Sequence, residues 1–187
     1  MKKIVMTAFV LLLIAGCSSK ASTEKTETNN TDSFPISLEE FVNEYNKNLD
    51  TLKDNNFEVI PSYLDLKSAG EFKKEKNGSY VRELIREPDN TPGQGYSIDA
   101  WYNKDKKLKG LALSTLSIND QFSQKGIVSA TVMLKSLGLD GKQLSNFLDG
   151  DKNEVEYTEG KYRVSFMMVP DMGVLLVHVE KKKDLSK

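Results

Sequence analysis

The chain contains a single histidine, His178 in the stretch VLLVHVEK. A histidine acts as a general base only when it is held against a nucleophile it can deprotonate, and no Gly-x-Ser-x-Gly elbow occurs in the sequence. Alone on an apolar strand, His178 reads as a partly exposed surface residue. The chain has no Walker loop and no dinucleotide glycine fingerprint. Paired carboxylates could hydrolyse glycosides, but with 27 acidic residues in the chain no pair is singled out by spacing. The stretch DGDKNEVEYTEG, from Asp149, matches a calcium loop at Asp149, Asp151 and Asn153. It has Glu154 where the sharp turn needs glycine and Gly160 where a bidentate glutamate belongs. A polar helix-to-strand turn is the better reading. The sequence thus names no catalytic residue, no metal ligand set and no cofactor.

The informative anomaly lies beside the histidine. A half-exposed strand alternates apolar and polar side chains, yet 164–169 reads VSFMMV and 174–177 reads VLLV. Large apolar residues therefore fall on both faces of these strands. The simpler expectation is a central strand covered on both sides. The alternative is a binding groove lined by Met167, Met168 and Met172, whose flexible thioethers suit an adaptable surface.

The cysteine is the other single residue. Lys2 and Lys3 precede an uncharged run from Ile4 to Ala15, about a dozen residues, too short to span a bilayer as a helix but suited to the core of a secretory signal. Ile14-Ala15-Gly16-Cys17 then resembles the lipobox of bacterial lipoproteins. That resemblance covers the first tenth of the chain. It implies cleavage between Gly16 and Cys17 and a diacylglycerol (palmitate-type) anchor on the Cys17 thiol. The mature protein would then sit at the outer face of the cytoplasmic membrane of a Gram-positive bacterium. With Cys17 acylated, no thiol is left for a disulfide or for catalysis, and His178 has no partner with which to hold zinc.

Residues 17–33 continue as CSSKASTEKTETNNTDS, too polar to bury a core, and read as a disordered tether. As a flexible coil it would reach roughly 20–25 Å. Removal of Lys2 and Lys3 leaves 24 basic side chains against 27 acidic ones, a net charge of −3. That balance excludes nucleic acid as an expected partner, because phosphate binding needs a basic surplus. It also speaks against broad adhesion to anionic lipid.

Residues 34–187 have the size of one domain, and their patterns define the elements that must position any site. In FPISLEEFVNEYNKNLDTL, Ser37 and Glu40 form a capping box, with Ile36 and Phe41 as a hydrophobic staple. Leu38, Phe41, Val42, Tyr45, Leu49 and Leu52 then mark one helical face. Four antiparallel strands are expected between Glu71 and Ser117. Asn77-Gly78 signals a hairpin, and YSIDAWY puts Tyr96, Ile98, Ala100 and Tyr102 opposite Ser97, Asp99 and Trp101. A helix follows Ser123 and stops at Gly138, and a shorter one runs from Asp140 to Gly150. Up to three more strands complete the chain. KKKDLSK reads as a solvated tail that blunts a sheet edge.

The order predicts an α+β fold, a single antiparallel sheet of about six to seven strands with helices packed on one face. Helix followed by hairpins occurs twice, so a duplicated half-fold is one way to build it. The expected function is that of a membrane-anchored extracytoplasmic lipoprotein acting as a non-enzymatic binding module. Its partner would be a protein or envelope ligand met through the sheet or through the loop from Pro88 to Gly95. The alternative is a carboxylate-dependent hydrolase of cell-envelope material. A solute receptor needs two lobes, and this chain is too short for them.

Overall fold

A computed structural model describes residues 33–118 and 121–183. The lipobox, Gly16, Cys17 and the tether to residue 32 lie outside the described residues. The first helix, α1 (Leu38–Asp54), starts as its sequence demands: the Ser37 hydroxyl accepts from the Glu40 N–H while the Glu40 carboxylate accepts from the Ser37 N–H. Its buried stripe is Phe41, Val42, Tyr45, Leu49 and Leu52. The strands β1 (Lys73–Lys74), β2 (Tyr80–Pro88), β3 (Gly95–Tyr102) and β4 (Leu108–Ile118) form an antiparallel meander, and β5 (Gln121–Phe122) folds back on the end of β4. The β1–β2 hairpin turns at Asn77-Gly78, where Gly78 takes the positive φ of 85° that a side chain would resist.

Next come α2 (Gln124–Ser136) and α3 (Lys142–Leu148), then the meander β6 (Glu154–Glu159), β7 (Tyr162–Val169) and β8 (Val174–Lys181). Gly138, at φ 73°, follows α2 as its stop signal. Spatially the strands run β1-β2-β3-β4-β8-β7-β6, every pairing antiparallel. The two meanders therefore meet through their last strands, β4 and β8. Each is preceded by helix, one helix before the four-stranded meander and two before the three-stranded one, so the halves share an order of elements about the β4–β8 ladder but not a strand count. The fold is α+β with one antiparallel sheet.

The three α-helices of the described residues all cover one face. Tyr96, Ile98, Ala100 and Tyr102 of β3, Leu111, Leu113 and Thr115 of β4, Leu175, Val177 and Val179 of β8, and Tyr162, Val164 and Phe166 of β7 are buried there. Against them pack α1, α2 (Val128, Val132, Met133) and α3 (Leu144, Phe147). The Tyr45 hydroxyl shares a 2.7 Å hydrogen bond with Ser129, tying α1 to α2. Burying whole side chains of this size is worth about 1.5–3 kcal/mol each, so this layer carries the stability.

Two expectations are corrected. The strands VSFMMV and VLLV are not covered on both sides: Met167 and Leu176 point away from the helices and are more than a third exposed. Lys181–Lys183, the described part of the basic tail, do not lie on a sheet edge either. Lys181 ends β8, an interior strand flanked by β4 and β7, and the edges are β6 and β1. The calcium-like stretch is a turn, since β6 begins at Glu154 and takes the second half of that window into the sheet.

Candidate functional site

With every helix on one side, the opposite face of the sheet is open, and the strand registers lay it out in rows. At the end where the described chain begins and finishes, Val81, Trp101, Gly110, Glu180, Arg163 and Thr158 follow one another across β2, β3, β4, β8, β7 and β6. The next row is Glu83, Asp99, Ala112, His178, Ser165 and Glu156. The third is Arg86, Ser97, Ser114, Leu176, Met167 and Glu154. The last, at the far end, holds Leu116, Val174 and Val169, and the turn from β7 to β8 carries Met172.

Side-chain size shapes this surface. The outward residues of the central strand β4 start as Gly110, Ala112 and Ser114, so the middle is low. Gly110 admits nothing larger, because a Cβ there would stand 2.6 Å from the Val179 carbonyl oxygen. Trp101, with no side chain beside it on β4, reaches the His178 ring at a centroid distance of 5.9 Å and an interplanar angle of 55°. On the far side of the low strip rise Leu176 and Met167. Trp101, Leu116, Met167 and Leu176 are 38%, 42%, 39% and 36% exposed, and Met172 is 72% exposed. Large apolar groups left this open on adjacent strands differ from the scattered exposed leucine of any surface.

Charges border the apolar groups. Arg163 sits between Glu156, at 3.6 Å, and Glu180, and Arg86 pairs with Glu83 at 2.7 Å. Asp99 is different. Burial pushes its carboxyl above the usual range and the neighbouring Glu83 adds to this, outweighing the pull of Arg86 and Lys73. His178 is half-buried. Burial, helped by the positive charge of Arg163, holds its pKa below the ordinary value of 6.5, so the imidazole is neutral at pH 7. Ser97 and Ser114 satisfy one another across the ladder at 2.9 Å.

A second polar cluster holds the loop after β2 on the helix side. The Glu87 carboxylate accepts from Lys125 Nζ at 2.6 Å, from the Tyr96 hydroxyl at 2.7 Å and from the Ser62 N–H at 2.9 Å. Burial favours the protonated acid, but these donors outweigh it and the Glu87 pKa lies below its usual value. The Ser123 hydroxyl donates to Asp89 and accepts from the Gly126 N–H, capping α2. Residues 89–94 are thereby pinned to the start of α2. This cluster is accounted for by anchoring.

Of the three methionines expected to line a groove, Met167 lies on the open face and Met172 at its far end, while Met168 turns inward against the core. Trp101, Leu116 and Leu176 were missed. One signal for them was available: in YSIDAWY the tryptophan falls on the polar side of the strand, with Ser97 and Asp99, where a buried ring would not be placed. Among the described residues no group of three His, Cys, Asp or Glu side chains is arranged to hold a metal, and no helix is long and apolar enough to cross a membrane. Comparison with protein-family models, with curated proteins and with solved structures finds no match for this chain.

Proposed function

We propose that the protein is a lipid-anchored extracytoplasmic binding module that meets its partner through the open face of its sheet. The observation that carries this reading is the set of four large apolar side chains, Trp101, Leu116, Met167 and Leu176, left more than a third exposed on adjacent strands. Their exposure costs solubility and adds nothing to the core, which is what a surface kept for a partner looks like. The lipobox-like Cys17 supports the membrane end of the reading. Phe34 enters the fold beside Leu108 and Tyr162, so the described chain begins at the Trp101 end. Leu116, Val174 and Met172 occupy the end remote from it.

A photo-crosslinking side chain placed at Leu176 in living cells tests the proposal. A discrete adduct is expected there and none from the same group at Asn43, exposed on α1 away from the sheet. Equal labelling at both sites, or none at either, removes the open face from consideration. The hydrolase alternative has one specific observation in its favour, the cross-strand pair Glu83 and Asp99, of which Asp99 has the raised pKa of a general acid. Release of reducing ends from purified cell wall, lost on Asp99→Asn, would establish that activity.

A further inference from the structure

The charge on the open face says which partner fits it. In the three rows that hold Trp101, His178 and Leu176, the strand registers place five carboxylates, Glu83, Asp99, Glu154, Glu156 and Glu180, against three cations, Lys73, Arg86 and Arg163. The single imidazole adds no charge near neutral pH. Pairing consumes the cations unevenly. Arg86 is spent on Glu83, and Arg163 is shared by two glutamates. Among the described residues, Asp99 and Glu154 take part in no ion pair. A surplus of negative charge thus surrounds apolar groups that ask to be covered.

We infer that the open face receives a cationic amphipathic peptide segment, with a lysine or arginine at Asp99 under Trp101 and apolar side chains on Leu176, Met167 and Leu116. Asp99 and Trp101 are two residues apart on one strand face, so a cation between them meets a carboxylate on one side and an indole on the other. Such a cation favours the charged carboxylate and so opposes the burial and the Glu83 charge that raise the Asp99 pKa. Asp99 and Leu176 are separated by two strand spacings and by two residues along the strand, about 12 Å in all, within the span of a short peptide. A second copy of this chain is opposed by the like charge of its own open face, and anionic lipid by the same surplus. The inference rests on the binding-module reading and adds the chemistry of the partner to it.

The test uses the lipid-anchored protein in neutral phosphatidylcholine vesicles and reads emission from Trp101, the one tryptophan of the chain. The probes are peptides about eight residues long, the length of a strand, in which leucine alternates with lysine, glutamate or serine. The lysine peptide is expected to change Trp101 emission saturably, and the glutamate peptide to leave it unchanged. Asp99→Asn is expected to weaken the lysine peptide about fivefold. Glu44→Gln, on the outer side of α1, is expected to leave it as it is. Equal responses to lysine and glutamate peptides, or an Asp99→Asn protein indistinguishable from wild type, overturn the inference. So does an emission change that follows protein concentration without peptide, which identifies a second copy as the occupant. If the Leu176 crosslink forms while the peptides fail to discriminate, the face binds a partner of another chemistry. If both fail, the binding-module reading falls as well.

Discussion

Trp101 and His178, the only tryptophan and the only histidine of the chain, face one another across β4 with their rings 5.9 Å apart. Gly110 makes this contact possible by leaving the site between them without a side chain. Because both residues are unique, two spectroscopic signals report one spot on the open face without ambiguity.

The first prediction uses that contact. An imidazolium quenches a neighbouring indole, so Trp101 emission is expected to fall as the pH is lowered, with a midpoint below 6.5, and His178→Gln is expected to abolish the step. Stability follows the same group. Its folded pKa lies below the unfolded value, so on acidification the unfolded chain takes up the proton first. The contribution of His178 is whole above about pH 6.5 and is lost as pH falls from there through the lower folded value. A midpoint above 6.5, or a step that survives His178→Gln, would contradict the burial argument.

How much of this was legible beforehand depends on which kind of signal was needed. The start of α1 was legible because Ser37 and Glu40 act locally, and so was the alternation of β3, because period two needs no partner strand. Membership of a face was legible for Trp101 for that reason. The openness of the face was not. Whether Met167 and Leu176 are covered depends on where α3 and the loops come to rest, and these are long-range outcomes. VSFMMV reads the same with or without a second layer above it. The tail KKKDLSK was misplaced for a related cause, since strand order puts β8 in the interior and sequence order puts it last.

The anchoring cluster gives a stability prediction. Lys125→Met leaves the Glu87 carboxylate without its cation while the Tyr96 and Ser62 donors remain. An exposed pair contributes about 0–1 kcal/mol, and breaking a buried one costs about 3–5. Glu87 and Lys125, 13% and 25% exposed, fall between, so a loss of about 2 kcal/mol is expected in urea unfolding. Amides of residues 89–94 should exchange faster in the variant. Unchanged exchange there would separate the loop from this cluster.

The anchor is tested without reference to the fold. Cys17→Ser removes the acyl acceptor, so cells fed a clickable fatty acid are expected to label the wild-type chain and not the variant. The variant should also keep its amino-terminal segment, visible as a larger mass. Label retained at wild-type strength on Cys17→Ser would remove the lipoprotein reading and leave the binding face to be explained in another compartment.

Phe166, Met167 and Met168 are consecutive, and the strand sends them alternately to the two sides of the sheet. Phe166 is fully buried and stacks with Phe147 and Tyr157 at centroid distances of 5.6 Å, so Phe166→Ala is expected to cost about 3–5 kcal/mol. Met168 packs on the core from its margin, and Met168→Ala should cost about 1–2 kcal/mol, less than a fully buried methionine would. Met167 stands on the open face, where little packing is lost, and Met167→Ala should fall within about 0.5 kcal/mol of wild type. Urea denaturation of the three variants gives the order directly. The same three should rank differently in the crosslinking assay at Leu176, its cross-strand neighbour. There Met167→Ala is expected to weaken capture most while remaining the most stable of the set. If Met167→Ala unfolds as readily as Phe166→Ala, the face is covered and the surface proposed for the partner does not exist.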